Sequence, residues 1–126
     1  MRVRRSLPAL LTAALLALPV TALAADSTGT RGAVDSVEVF SPSASTFLKY
    51  HGRIFVLSGS KKQEYRWGGT SCGNKTIDTQ MVDLLYRAMS SSKIEITPSY
   101  KSGQGKTRCL VGFKLKKSKR TPPRPT

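Results

Sequence analysis

His51, Glu64 and Arg66 are the side chains with which this chain could do acid–base chemistry, with Tyr50 beside the histidine. A carboxylate base, a histidine acid and an arginine that steadies a phosphate would suit transesterification of RNA. Glu64 and Arg66 stand at i and i+2, which puts both on one face of a strand. Two facts weaken the set. His51 is the only histidine, and it sits in a loop beside Gly52, where a lone imidazole is ordinarily solvated or hydrogen-bonded. Alternating Glu and Arg is also how any exposed strand face reads. The expectation is a protein that is not an enzyme. No cofactor or metal is expected either: "GGTSCGNKT" lacks the spacing of a phosphate-cradling loop, and one histidine with two cysteines matches no zinc pattern.

Binding chemistry is better represented. The stretch "YRWGGTSCG", Tyr65–Gly73, holds the only tryptophan. Tyr65 and Trp67 share one strand face, and Arg66 takes the other. That aromatic face either packs into the core or forms a stacking platform for a sugar or base, with Arg66 and the lysines of "SGSKK" beside it. Further along, charge becomes lopsided. Residues 25–100 carry nine Lys/Arg against seven Asp/Glu, whereas residues 101–126 carry nine and no acid. Lys101, Lys106 and Arg108 surround a turn, and Lys114, Lys116, Lys117, Lys119 and Arg120 follow on a strand and tail. A terminal block of one sign points to a polyanionic partner: nucleic acid, lipopolysaccharide or an acidic polysaccharide.

The first residues set the compartment. "MRVRRSLPALLTAALLALPVTALAADS" is a basic start, an apolar run too short to span a bilayer, and an Ala22-Leu23-Ala24 cleavage pattern. Residues 1–24 read as a signal peptide of the general secretory type, so the mature chain begins at Ala25 and is secreted or periplasmic. Without the three arginines of that segment, a net charge of +14 becomes +11. No second long apolar run follows. The mature 102 residues suffice for one domain. Two cysteines in an exported chain pair most simply with each other, Cys72 with Cys109, closing a loop of about 37 residues worth about 4 kcal/mol.

Alternation and spacing then lay out the elements that must hold these residues. Residues 25–32 read as a flexible leader. "AVDSVEVF", "RIFVLSG" and "QEYRW" read as three strands, the last two a hairpin across "SGSKK". Gly68 and Gly69 let the backbone turn sharply out of the third, freeing Cys72 to reach its partner. Ile77, Met81, Leu84, Leu85 and Ala88 form one apolar stripe, predicting a helix over Ile77–Met89 with Asp78 as its N-cap. Ile77 and Val82 can staple across that cap. "KIEITPSY" is a fourth strand with Pro98 marking an edge or bulge, and "TRCLVGFKLK" is a fifth. The expected core is Val37, Val39, Ile54, Val56, Tyr65, Leu84, Leu85, Ile94, Ile96, Val111 and Phe113. Residues 118–126 read as a disordered, basic, proline-rich tail. The fold class is α+β, mainly β. Its expected form is a five-stranded OB-like barrel over residues 33–117 with one helix between strands three and four.

With signal peptide, strand order, helix and late-strand cysteine in place, Ala33–Lys117 resembles the small exported OB-fold proteins of bacteria, among them the B subunits of AB5-type toxins. That resemblance implies a non-catalytic, pentameric glycan binder whose helix faces a central pore. A cell-surface glycan is thus the alternative partner to a polyanion. "SGSKKQEYRWGG" also has a faint similarity to segments of C-type lysozyme inhibitors, but a chain this basic would repel a basic lysozyme.

Overall fold

A computed structural model of the chain describes residues 25–119. The expected signal peptide lies outside the described residues, as do residues 120–126 of the tail, Arg120 among them. The elements are β1 (Ser27–Thr28), β2 (Ala33–Val39), β3 (Gly52–Ser58), β4 (Lys61–Trp67), α1 (Thr79–Met89), β5 (Ile94–Ser102) and β6 (Arg108–Lys117). Short 3-10 turns occupy Ser45–Leu48 and Thr70–Cys72. The protein is mostly β with a single helix among the described residues, and that helix falls between β4 and β5 as its apolar stripe requires.

The sheet runs β1-β5-β6-β4-β3-β2. Neighbours are antiparallel except β4 and β6, which run parallel and meet at Arg66 and Cys109. This corrects the expected closed, five-stranded barrel: the sheet has six strands and is open. Closure would need a ladder between β2 and β5, and there the chain makes a single bridge. Gly32 N donates to Ile96 O at 3.0 Å and Ile96 N to Gly32 O at 2.8 Å. Two causes are visible. The chain before β2 already lies along this edge of β5, with Ser27 opposite Tyr100 and Thr28 opposite Ser99. Beyond Gly32, a bulge between Val34 and Ser36 bends β2 toward β3. Residues 25–32 are therefore a docked edge segment in place of the expected flexible leader.

The core joins Val34, Ile54, Val56, Tyr65, Trp67 and Ile96 of the sheet to Ile77, Leu85 and Ala88 of the helical segment, with Leu110 from β6. Full burial of one such apolar side chain is worth about 1.5–3 kcal/mol. Asp78 caps α1 by accepting from Met81 N at 2.8 Å, so the helix proper begins two residues after Ile77. Three expected core residues are misplaced. Val39 is 58% exposed at the end of β2, and Leu84 is 40% exposed on the flank of the helical stripe. In β6 a register shift opposite Ser99/Tyr100 makes Val111 the extra residue of a bulge. Parity changes there, so Leu110 turns inward at 1% exposure while Val111 is half-buried.

Candidate functional site: the unpaired lysines of the last strand

Trp67 is core. It is 2% exposed, and Gly52 on the paired strand makes room for it, because a Cβ there would collide with the indole. The stacking platform is thereby withdrawn. Tyr65 is fully buried beside it; its hydroxyl donates to Gln63 Oε1 at 2.9 Å, and burial raises the phenol above its ordinary pKa of 10.0. Gly68 and Gly69, with φ of 74° and 66°, carry the chain out of β4 into the Thr70–Cys72 turn. From there Cys72 bonds to Cys109, with Cα atoms 5.6 Å apart. The stretch Tyr65–Gly73 is thus a strand end pinned to β6.

The opposite face of β3 and β4 carries Glu64 and Arg66, paired with each other and through Glu64 with Arg53, while His51, just before β3, packs instead on Phe47. Arg53 donates to Glu38 from Nε at 2.7 Å and from Nη2 at 3.2 Å, and to Glu64 from Nη1 at 2.9 Å. Those carboxylates hold the Arg53 guanidinium above its ordinary pKa, the Glu38 hydrogen bond contributing most and desolvation opposing it. Arg66 pairs with the other oxygen of Glu64 and lies 4.3 Å from the centre of the Tyr50 ring. The His51 ring stacks on Phe47, centroids 3.9 Å apart, and lies against Gly68, where a Cβ would collide with it. Charge here is balanced locally, so Arg66 is a poor anchor for an incoming anion.

Elsewhere the balance fails. The chain has seven Asp and Glu side chains, and every one is engaged. Glu95 pairs with Arg31 at 3.4 Å, Asp35 with Lys62 at 2.9 Å, Asp83 with Arg87 at 3.0 Å and Asp26 with Lys101 at 3.6 Å. Glu38 and Glu64 serve Arg53 and Arg66, and Asp78 caps the helix. Among the described residues, Lys106, Arg108, Lys114, Lys116, Lys117 and Lys119 of the basic block have no carboxylate within salt-bridge distance, as is also true of the scattered Lys49, Lys61, Lys75 and Lys93.

The structure splits the basic block in two. Lys101, Lys106 and Arg108 stay near the β5–β6 turn, with Arg108 half-buried close enough to the Tyr65 phenol to oppose its upward shift. Lys114, Lys116, Lys117 and Lys119 are exposed at the other end of the hairpin. Lys114 and Lys116 share a face, opposite Thr97 and Glu95, at a spacing of about 6.8 Å along the strand. Ser118 N donates to Lys93 O at 2.6 Å, which brings Lys93 to the same end. Sequence reasoning missed Lys93, which lies just before β5 and far from the block in the chain. Past Cys109, β6 pairs only with β5 among the described residues, so its lysines line a strand with one open side.

Among the described residues no cluster of His, Cys, Asp or Glu could hold a metal, and no helix is long and apolar enough to cross a membrane. Compared with family models, curated proteins and solved structures, the chain matches none of them.

Proposed function

We propose that this is an exported, non-catalytic binding protein that holds a polyanion on the lysines at the open end of the β5–β6 hairpin. The observation that carries the reading is the distribution of carboxylates: all seven Asp and Glu side chains are engaged with other partners, Glu95 opposite Lys116 being held by Arg31 and by the Ser118 hydroxyl, which donates to it at 2.6 Å, and none pairs with Lys114, Lys116, Lys117 or Lys119. Unneutralised cations on one strand make an attractive field for phosphate or sulfate groups. The Cys72–Cys109 disulfide supports export into a secreted or periplasmic setting, as does the signal-like start of the chain. The glycan alternative loses its natural contact residue with Trp67 in the core.

Heparin and a DNA duplex, each titrated at several salt concentrations, test the proposal. Four phosphate contacts predict that log K on the duplex falls with log salt at a slope of about −3.6, hence roughly 150-fold between 50 and 200 mM. Substituting Lys114, Lys116, Lys117 and Lys119 together by Gln is expected to flatten that slope toward zero. Salt-insensitive binding to a neutral glycan would instead favour the toxin-subunit likeness. Cleavage of RNA that disappears in His51→Ala would overturn the non-catalytic assignment.

A further inference from the structure

Residues 25–32 dock more closely than their polarity explains. Ser27 and Thr28 are exposed and bury little apolar surface, yet both pair with β5, and Gly29 N donates to Pro98 O at 2.8 Å. Two glycines permit the approach: a Cβ on Gly29 would collide with the Tyr65 hydroxyl, and one on Gly32 with the Leu57 carbonyl. This docking delivers Ala25 to the wall of a cleft of about 360 Å³, which Ser27, Lys75, Lys101 and Ser102 also line.

The two lysines reach the cleft from separate elements. Lys101 belongs to β5. Lys75 lies on the loop after the disulfide turn, where Gly68 N donates to Lys75 O at 2.5 Å and Lys75 N to Cys72 O at 2.9 Å. Lys75 has no carboxylate partner among the described residues. Lys101 has only Asp26 at 3.6 Å, longer than a charge-assisted hydrogen bond.

We propose that this cleft is an oxyanion site for one sulfate or phosphate group, and that removal of the signal peptide after Ala24 completes it. The cut replaces the neutral peptide N–H of Ala25 with an α-amino group, which is ordinarily cationic at neutral pH. The cleft's charge then rises from two lysines against Asp26 to three cations against the same carboxylate. Ser27 and Ser102 add hydroxyl donors that give an oxyanion direction as well as charge. The maturation step rests on the export reading above; the site is independent of the β6 lysines.

The test uses the exported chain, its N-terminus established by intact mass, and the same chain carrying one extra glycine before Ala25. Inorganic sulfate, inorganic phosphate, glucose 6-sulfate and glucose 6-phosphate are titrated while backbone amide shifts are followed by NMR. Saturable shifts at Ser27, Lys75 and Ser102 are expected. Lys75→Gln and the glycine extension should each weaken binding about tenfold, the loss of one charged contact, whereas Lys49→Gln should not. Tighter binding of the sugar esters than of the free ions would assign the source of the anion to a saccharide, and the reverse to a free ion. Unsaturable shifts, or an affinity indifferent to Lys75→Gln, would overturn the site. Equal binding by the glycine-extended chain, or a mass placing the N-terminus elsewhere, would overturn its completion by maturation. Polyanion binding lost in the β6 lysine variant leaves these results unchanged, so the two proposals fail separately.

Discussion

Replacing both Cys72 and Cys109 by alanine removes the one covalent tie between the end of β4 and the last strand. The cysteines are 37 residues apart, and closing a loop of that length takes about 13 cal/mol/K from the unfolded chain, or about 4 kcal/mol at 25 °C. Both are 1% exposed, so the double alanine variant keeps an apolar surround and leaves no lone buried thiol. A domain of this size gains roughly 0.2 kcal/mol/K on unfolding at its midpoint, which converts the loss to a fall in Tm of about 20 °C. Calorimetry of the parent with and without reductant, beside the double variant, measures it. A variant melting within about 5 °C of the parent would refute the reasoning, because the loop term alone exceeds that several-fold. Such a result would mean that backbone bonds pin the turn unaided. The bonds in question are Ser71 N to Lys49 O and Gln104 N to Ser71 O, both 2.9 Å.

The helix offers a paired test: in urea, Leu85→Ala is expected to cost about 2–5 kcal/mol, and Leu84→Ala, on the exposed flank, under about 1 kcal/mol. Equal losses would mean the helix is rotated from the position described. Burial raises the Tyr65 pKa, so the folded chain keeps a proton that the unfolded chain gives up. That contribution to stability is full below about pH 10 and lost as pH climbs through the folded value, and Tyr65→Phe should show a shallower alkaline decline in urea midpoint. Gly68→Ala combines a φ of 74° with a collision against His51, and thermal unfolding should register a loss above about 1 kcal/mol.

Much of this fold is written in local patterns. Ile54, Val56 and Ile96 alternate as buried strand positions must, and the capped stripe from Asp78 to Ala88 specifies its helix, whereas Val34, out of phase with Val37 and Val39 across the β2 bulge, does not read as core. What escaped is what alternation cannot carry. The bulge that exchanges Leu110 for Val111 comes from pairing with β5, not from β6's own residues. Ser27 and Thr28 have no strand pattern, and their docking depends on the missing side chains of Gly29 and Gly32 against surfaces made by other strands. The binding residues were legible as a block of charge but not as a site. Which lysines lack a carboxylate follows from tertiary docking and not from register: Glu95 stands opposite Lys116 across the ladder, yet it pairs with Arg31 from the segment before β2.

The place of β6 in the sheet governs when this protein can become itself. It is the last strand among the described residues, yet its start lies inside the sheet, between β5 and β4. A ribosome or an export channel releases β2, β3 and β4 first, and these can zip together through neighbouring hairpins. β5 can dock on the chain before β2 through Ser27, Thr28 and Gly32, but β4 gains its neighbour on that side only when the ten residues of β6 arrive. Until then the facing edges of β4 and β5 stay open, Leu110 has not capped the core, and Cys72 has no thiol to meet. A chain stopped at Ser102 would leave the β6-facing edges of β4 and β5 both unpaired, as adhesive strand edges.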